Sequence, residues 1–331
     1  MIKVLIPDMP PAADLMPYLR SIDESKTYVN DGPLVRQLTE KLEAICGVPV
    51  AVVSNGTAAL ELTLHAFGAD KAEIGLPALT FSATGLAASQ RHSPILYDVD
   101  ADTWLLDHRL KYDNCDMLIP VATFGKPVNM KNWENRFRPI VVDAAGALYA
   151  QQCSKNYHVA TCFSMHATKF VGAGEGGFVA SANKGWLDEI RSLAKFGPHG
   201  TNAKMSEYHA AVALAALGRA VKKSYRTATV IKWYKEHGLE DFSYTTHEYN
   251  TLLVVKLIDE VPLLASAMAD RGIEIRQWYR PWLDERKDFR VARPLPVTEH
   301  LRHRLVGLPF HNFLTEADVA YVMDSLREVI R

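Results

Sequence analysis

Short apolar runs alternate with helix-patterned stretches between about residues 46 and 217, and this alternation constrains the fold more than any other feature of the chain. Val50–Val53 and the runs at 95–97, 117–121, 140–142 and 178–180 are too short for helices and apolar enough for buried strands. Asn55-Gly56-Thr57 turns into an apolar stretch over 58–67 that Gly68 closes, and 184–195 is a further helical pattern. Strands interleaved with helices pack as layers around a mostly parallel sheet, so the expected fold class is α/β. The pattern changes after about Leu217. A charged helix over 222–236 reads as a connector, followed by a strand at 252–257, a helix at 261–271 stopped by Gly272, and a strand at 273–276. A closing helix starts near Thr315, a plausible N-cap. The expected division is a large domain over 1–220 and a smaller α+β domain over 221–331. The segment up to about Val35, rich in Pro, Asp and Gly, is expected to pack on the small domain or on a partner subunit.

Composition excludes several functions. The 37 Lys and Arg are matched by 38 Asp and Glu, so no basic surplus exists to hold a phosphodiester backbone, and nucleic acid is not an expected partner. No apolar run reaches transmembrane length. The start, MIKVLIPDMPP, lacks the apolar core of a signal peptide, which makes a cytoplasmic location the expectation. Cys46, Cys115, Cys153 and Cys162 form no CxxC pair and have no His cluster beside them, so neither a metal site nor a disulfide framework is expected.

Three segments carry chemistry, in a telling order. At Ser54-Asn55-Gly56-Thr57 a glycine precedes a helix start, where backbone N–H groups and the helix dipole favour a phosphate. A plain turn with a capping threonine is the alternative for that segment alone. Asp143 follows the 140–142 strand, at the end of an α/β strand where ligands bind. A carboxylate there can pair with the pyridine nitrogen of pyridoxal phosphate (PLP) and keep it protonated; a solvated strand-ending Asp would look the same. Lys169 closes Phe163-Ser164-Met165-His166-Ala167-Thr168-Lys169 and precedes Gly172-Ala173-Gly174-Glu175-Gly176-Gly177. A Schiff-base lysine needs such partly desolvated surroundings to be neutral and nucleophilic, although a surface lysine beside a flexible loop fits this segment alone.

The chain resembles the DegT/DnrJ/EryC1/StrS sugar aminotransferases over nearly its whole length. The matching segments are SNGTAAL, PALTFSAT, DVDADTWLLD, IPVATFGKPVNM, DAAGA, FSMHATK, GEGG, NAKMSEYHAA and GLPFHNFLTEAD, in that order. The resemblance implies a fold-type I PLP-dependent transferase. It also implies a Schiff base on Lys169, a pyridinium partner in Asp143 and a ring stack on Phe81. Phosphate contacts fall to Gly56, Thr57 and Ser164, and Asn202 reaches the phosphate of a neighbouring subunit's cofactor. Homodimers with shared sites follow from that last point. His166, Tyr279 and His311 fall in segments that approach substrate. The segments FSMHATK and KMSEYHAA are most similar to enzymes that aminate C4 of dTDP-4-keto-6-deoxyglucose, with L-glutamate as the amino donor.

Two positions depart from the pattern. The family usually has Gln or His three residues after the ring aspartate, against the cofactor's phenolic oxygen, where this chain has Gly146. Ala122 stands where relatives often have His. A sister group with histidine in place of the lysine acts as a dehydratase, and Lys169 argues against that chemistry. The rivals left open are amination at C3 or of a keto-cyclitol, and a binding or regulatory protein on the same fold.

Overall fold

The structure is a computed structural model that describes residues 1–67, 70–133, 138–292 and 294–330. Two helices, α1 (Ala12–Ser25) and α2 (Pro33–Cys46), precede the alternating region. That region runs β1 (Val50–Val53), α3 (Gly56–Ala66), β2 (Glu73–Pro77), α4 (Ser82–Ser89), β3 (Ser93–Tyr97), β4 (Met117–Leu118), β5 (Ile140–Asp143), β6 (Val159–Ser164), β7 (Gly177–Ser181), α5 (Lys184–Leu193) and α6 (Glu207–Gly218). The connector α7 (Ala220–Glu236) leads to β8 (Ser243–Thr245), β9 (Leu253–Lys256), α8 (Leu264–Asp270), β10 (Arg290–Val291), α9 (Pro296–Leu301), β11 (Leu305–Leu308) and α10 (Glu316–Ile330). Gly68, expected to close α3, lies outside the described residues.

Eight strands form one sheet in the order β1-β7-β6-β5-β4-β2-β3-β10. From β6 to β10 every pairing is parallel, and β7 alone runs against its neighbours β6 and β1. The mostly parallel sheet read from the sequence is therefore present. Each face carries its own apolar layer. One includes Leu38, Leu42, Val142 and Phe178; the other includes Leu60, Leu76, Val141 and Val179. Adjacent residues of one strand divide between the two layers, as a period of two requires.

The C-terminal part builds a second, three-stranded antiparallel sheet, β11-β9-β8, around Val255, Val306, Val322 and Leu326. The strand expected at 273–276 does not form; only isolated bridges Ile2–Ile273 and Arg276–Gly307 mark it. Strand β10 crosses back to pair with β3 in the large sheet. The N-terminal segment packs on the C-terminal part through the Ile2 bridge and a hydrogen bond from the Phe310 N–H to the Val4 carbonyl. Thr315 and Asp318 exchange hydrogen bonds at the head of α10, a reciprocal cap consistent with the expected helix start. Among the described residues no helix is long and apolar enough to cross a membrane.

One buried charge organises the N-terminal helices. Glu207, fully buried at the start of α6, accepts from the Leu34 and Val35 N–H groups at 2.8 and 3.0 Å. These are donors that the first turn of α2 cannot satisfy itself, and α2 has no side-chain cap of its own. A carboxylate at a helix N-terminus also gains from the helix dipole. Glu207→Ala is expected to leave both donors buried and unpaired, at a cost of about 3 kcal/mol. A urea-unfolding midpoint unchanged by the substitution would refute this role.

Candidate active site

Strand direction gathers the chemistry at one edge of the sheet. Because β7 is reversed between β1 and β6, the C-terminal ends of β1, β5 and β6 lie on the same edge as the start of β7. Val53 and Ser164 both pair with Gly177 there, and Asp143 stands one strand further on, opposite Cys162. This is the crevice at the carboxyl ends of the strands, where α/β sheets bind ligands.

The turn between β1 and α3 is shaped for an anion. Asn55, not Thr57, caps α3, accepting from the Ala58 N–H at 2.8 Å. Gly56 and Thr57 form the first turn, whose backbone donors have no partner within the helix. The approach is very close. A Cβ on Gly177 would lie 2.3 Å from the Asn55 carbonyl oxygen and 2.7 Å from the Gly56 nitrogen, and a Cβ on Gly56 would lie 2.7 Å from the Ser164 Cβ. The helix N-terminus and the Ser164 hydroxyl thus meet across a gap that only glycine leaves open.

Asp143 is nearly fully buried. Its carboxylate accepts from the Thr84 hydroxyl at 2.7 Å and from the Ala145 N–H at 3.1 Å. Burial pushes its pKa up, while the two hydrogen bonds and the charge of Lys169 pull it back. A cationic nitrogen facing it would favour the ionised form. Thr84 sits on the first turn of α4, whose N-cap position is Phe81. The Phe81 ring is 58 % exposed and meets Tyr279 edge to face, with centroids 6.0 Å apart, so it is not a core residue.

Lys169 lies in the long connection between the antiparallel strands β6 and β7. Backbone hydrogen bonds from Met165 to Gly176, Ala167 to Gly174 and Ala173 to Met165 fix that connection. Burial pushes the lysine pKa down, opposed by the Asp143 carboxylate. A lowered pKa favours the neutral form that a nucleophilic amine must take.

The remaining expected residues divide. Tyr279 joins the group: it stacks on Phe124 at 5.0 Å, and burial raises its phenol, with the Asp143 charge adding to the effect. His311 lines a cleft beside Lys169, and burial lowers its pKa. His166 is about half exposed, with Nδ1 2.9 Å from the Thr168 hydroxyl and Nε2 3.6 Å from Glu175. Asn202 is exposed and accepts from Lys204 at 2.5 Å. Its neighbour Ala203 accepts from the Ser54 N–H at 2.7 Å, which ties this segment to the turn between β1 and α3. Sequence reasoning missed Thr84, Asn55 as the cap, and the role of Gly177. Thr84 stood inside a quoted segment, but its contact with Asp143 spans 59 positions and has no local signal.

The two departures also have a physical setting. A Cβ on Gly146 would meet only Gly125, at 3.7 Å, so packing does not require glycine there. Polar side chains from the C-terminal part reach this strip: Asn250 donates to the Phe124 carbonyl at 2.6 Å, and His247 Nε2 lies 3.0 Å from that of Gly125. Ala122 lies beside Asp143 and donates its N–H to the Asp143 carbonyl at 2.8 Å.

A glycine-gated anion turn, a buried carboxylate and a depressed lysine on one sheet edge fit pyridoxal phosphate, and the fold is that of a fold-type I PLP enzyme. The profile of the DegT/DnrJ/EryC1/StrS aminotransferase family matches residues 12–327, and the chain belongs to that family as a PLP-dependent aminotransferase. It is 24% identical over 371 aligned positions to a dTDP-4-amino-4,6-dideoxy-D-glucose transaminase of Shigella dysenteriae, covering 99% of each chain. It is 26% identical to a GDP-perosamine synthase of Escherichia coli O157:H7, covering 83% of this chain and 84% of the relative. The solved structure of DesI with its TDP-sugar product aligns with a TM-score of 0.86 at 28% identity, covering 98% of this chain and 93% of that one.

Gly177→Ala tests the gap. The added Cβ must displace the Asn55-Gly56 backbone, so cofactor affinity is expected to fall on the order of tenfold or more, equivalent to about 1.4 kcal/mol. Circular dichroism should remain that of the wild type. Unaltered PLP affinity in the folded variant would mean that the turn does not depend on this approach.

Proposed function

We propose that the protein transfers the amino group of L-glutamate to C4 of a nucleotide-linked 4-keto-6-deoxyhexose, with dTDP-4-keto-6-deoxyglucose as the acceptor. The observation that carries the transaminase chemistry is the burial of Asp143 opposite the depressed Lys169 amine. The acceptor class rests on the named activity of the Shigella relative and on the TDP-sugar bound by DesI. A second hollow supports it: Phe81 and Tyr279 open into a space lined by Arg276, Trp278 and Arg280. Two guanidinium groups and an indole suit a nucleoside diphosphate.

Bound PLP supplies an electron sink and carries the amino group between the two substrates. The chain does the rest. Lys169 would hold the cofactor, and its amine, once displaced by the amino group of the donor, would take the proton from the donor's α-carbon and, in the reverse sense, return one to the acceptor. Asp143, fixed by Thr84 and the Ala145 N–H, holds a proton on the ring nitrogen. Phe81 would pack on the cofactor ring, while Gly56, Thr57 and Ser164 would hold its phosphate. His166, Tyr279 and His311 approach the substrates. Both half-reactions use the same residues, so the kinetics are ping-pong. The protein works as a homodimer in which Asn202 completes the partner's site.

Borohydride reduction of the PLP-loaded protein is expected to fix the cofactor on Lys169, and Lys169→Ala to bind PLP without turnover. The protein charged with glutamate should then regain its original absorbance with dTDP-4-keto-6-deoxyglucose, and the product should carry nitrogen at C4. Label on another lysine would remove the assignment of Lys169. Nitrogen at C3, or turnover with a cyclitol ketone alone, would overturn the acceptor.

For the shared site, mixed Lys169→Ala and Asn202→Ala subunits should recover activity, since hybrid dimers contain one intact site. A fully active monomer would end this reading, as would hybrids of confirmed exchange that recover nothing from two inactive parents.

A further inference from the structure

The cleft beside Lys169 contains a second lysine. Its walls come from the N-terminal segment at Asp8, from Thr168 and Lys169, from Lys223 and Thr227 on α7, and from His311 and Asn312 ahead of α10. Lys223 is only partly exposed. Its Nζ lies 3.3 Å from the Asp8 main-chain carbonyl and 5.1 Å from the centroid of the Phe170 ring.

The nearest acid is already engaged. The Asp8 carboxylate accepts from Arg219 Nη2 at 3.2 Å and from Asn312 Nδ2 at 3.0 Å. Among the described residues Lys223 has no ion-pair partner within 4 Å. A half-buried ammonium held by one carbonyl and an aromatic face is under-compensated, and an arriving anion gains most at such a group.

We propose that Lys223 is the anion anchor of this cleft and binds a carboxylate of the amino-acid donor. The identity of the donor rests on the function proposed above; the anion site rests on the geometry. The site is placed for this role because Lys169, whose amine the donor must meet, lines the same cleft. A donor dicarboxylate brings the negative charge that Lys223 lacks. The charged groups around it are Asp8 on the N-terminal segment, Arg219 one turn earlier on its own side, Lys169 from the β6–β7 connection and His311 from the C-terminal segment.

Burial pushes the Lys223 amine down to about 8, with Asp8 opposing and Arg219 adding to the fall. The ammonium form binds a carboxylate and the neutral amine does not. Affinity is therefore full below about pH 8 and declines as pH rises through it. Bound anion stabilises the proton and shifts the decline upward.

The experiment titrates glutarate, a dicarboxylate with no amino group, into the PLP-loaded protein by calorimetry at pH 7 and pH 9.5. The wild type should bind at pH 7 and lose affinity at pH 9.5. Lys223→Met should weaken binding at pH 7 on the order of tenfold, as expected for loss of a charged hydrogen bond. It should also flatten the pH dependence. Lys223→Arg, which keeps its charge, should retain binding at both pH values. In the donor half-reaction, the methionine variant should need correspondingly more glutamate for half-saturation. Absence of glutarate binding by the wild type would overturn the proposal. So would a folded methionine variant with wild-type affinity and pH profile, or one impaired only toward the sugar. A wild type that binds glutarate through Lys223 but accepts no amino group from glutamate would refute the donor assignment and leave the anion site standing.

Discussion

The carboxyl edge of the large sheet depends on one close contact: the Asn55-Gly56 backbone against Gly177 at the start of β7. It exists because β7 runs backward between β1 and β6, which brings the head of α3, the end of β6 and the start of β7 together. Any side chain at position 177 would occupy the place of the Asn55 carbonyl. The anion turn, the Ser164 hydroxyl and the connection bearing Lys169 are all referenced to that contact.

Around this fixed edge the electrostatics oppose each other. Asp143 and Lys169 both suffer burial, which disfavours charge on each, and each partly restores the other. Burial thus shifts the carboxylate and the amine each toward its neutral form, and a pyridinium ring beside the first and a carbonyl group beside the second would suit those shifts. The hydrogen bonds of Asp143 to Thr84 and Ala145 leave it oriented without neutralising it. The cleft beyond Lys169 continues the theme, since Asp8 is satisfied by Arg219 and Asn312 while Lys223 is not.

The C-terminal part closes the site from outside the large sheet. Tyr279 stacks on Phe124 and meets Phe81, Asn250 holds the Phe124 carbonyl, and β10 returns to the sheet beside β3. Gly146 faces this strip with room for a side chain it does not have.

Much of this was legible in the sequence. The strand-helix alternation determined an α/β fold, because period and length are local properties of the chain. Asp143 after an apolar run and Lys169 before a glycine cluster were readable because strand ends and glycine turns are also local. The order of segments carried the family. Tertiary structure alone decided the rest. Residues 273–276 have the composition of a strand but find only single bridging partners, since pairing depends on what lies alongside. Thr84 reached Asp143, Glu207 reached the head of α2, and Lys223 reached the cleft of Lys169 across 59, 172 and 173, and 54 positions of chain respectively. Contacts of that separation are set by packing, and no local pattern of residues records them.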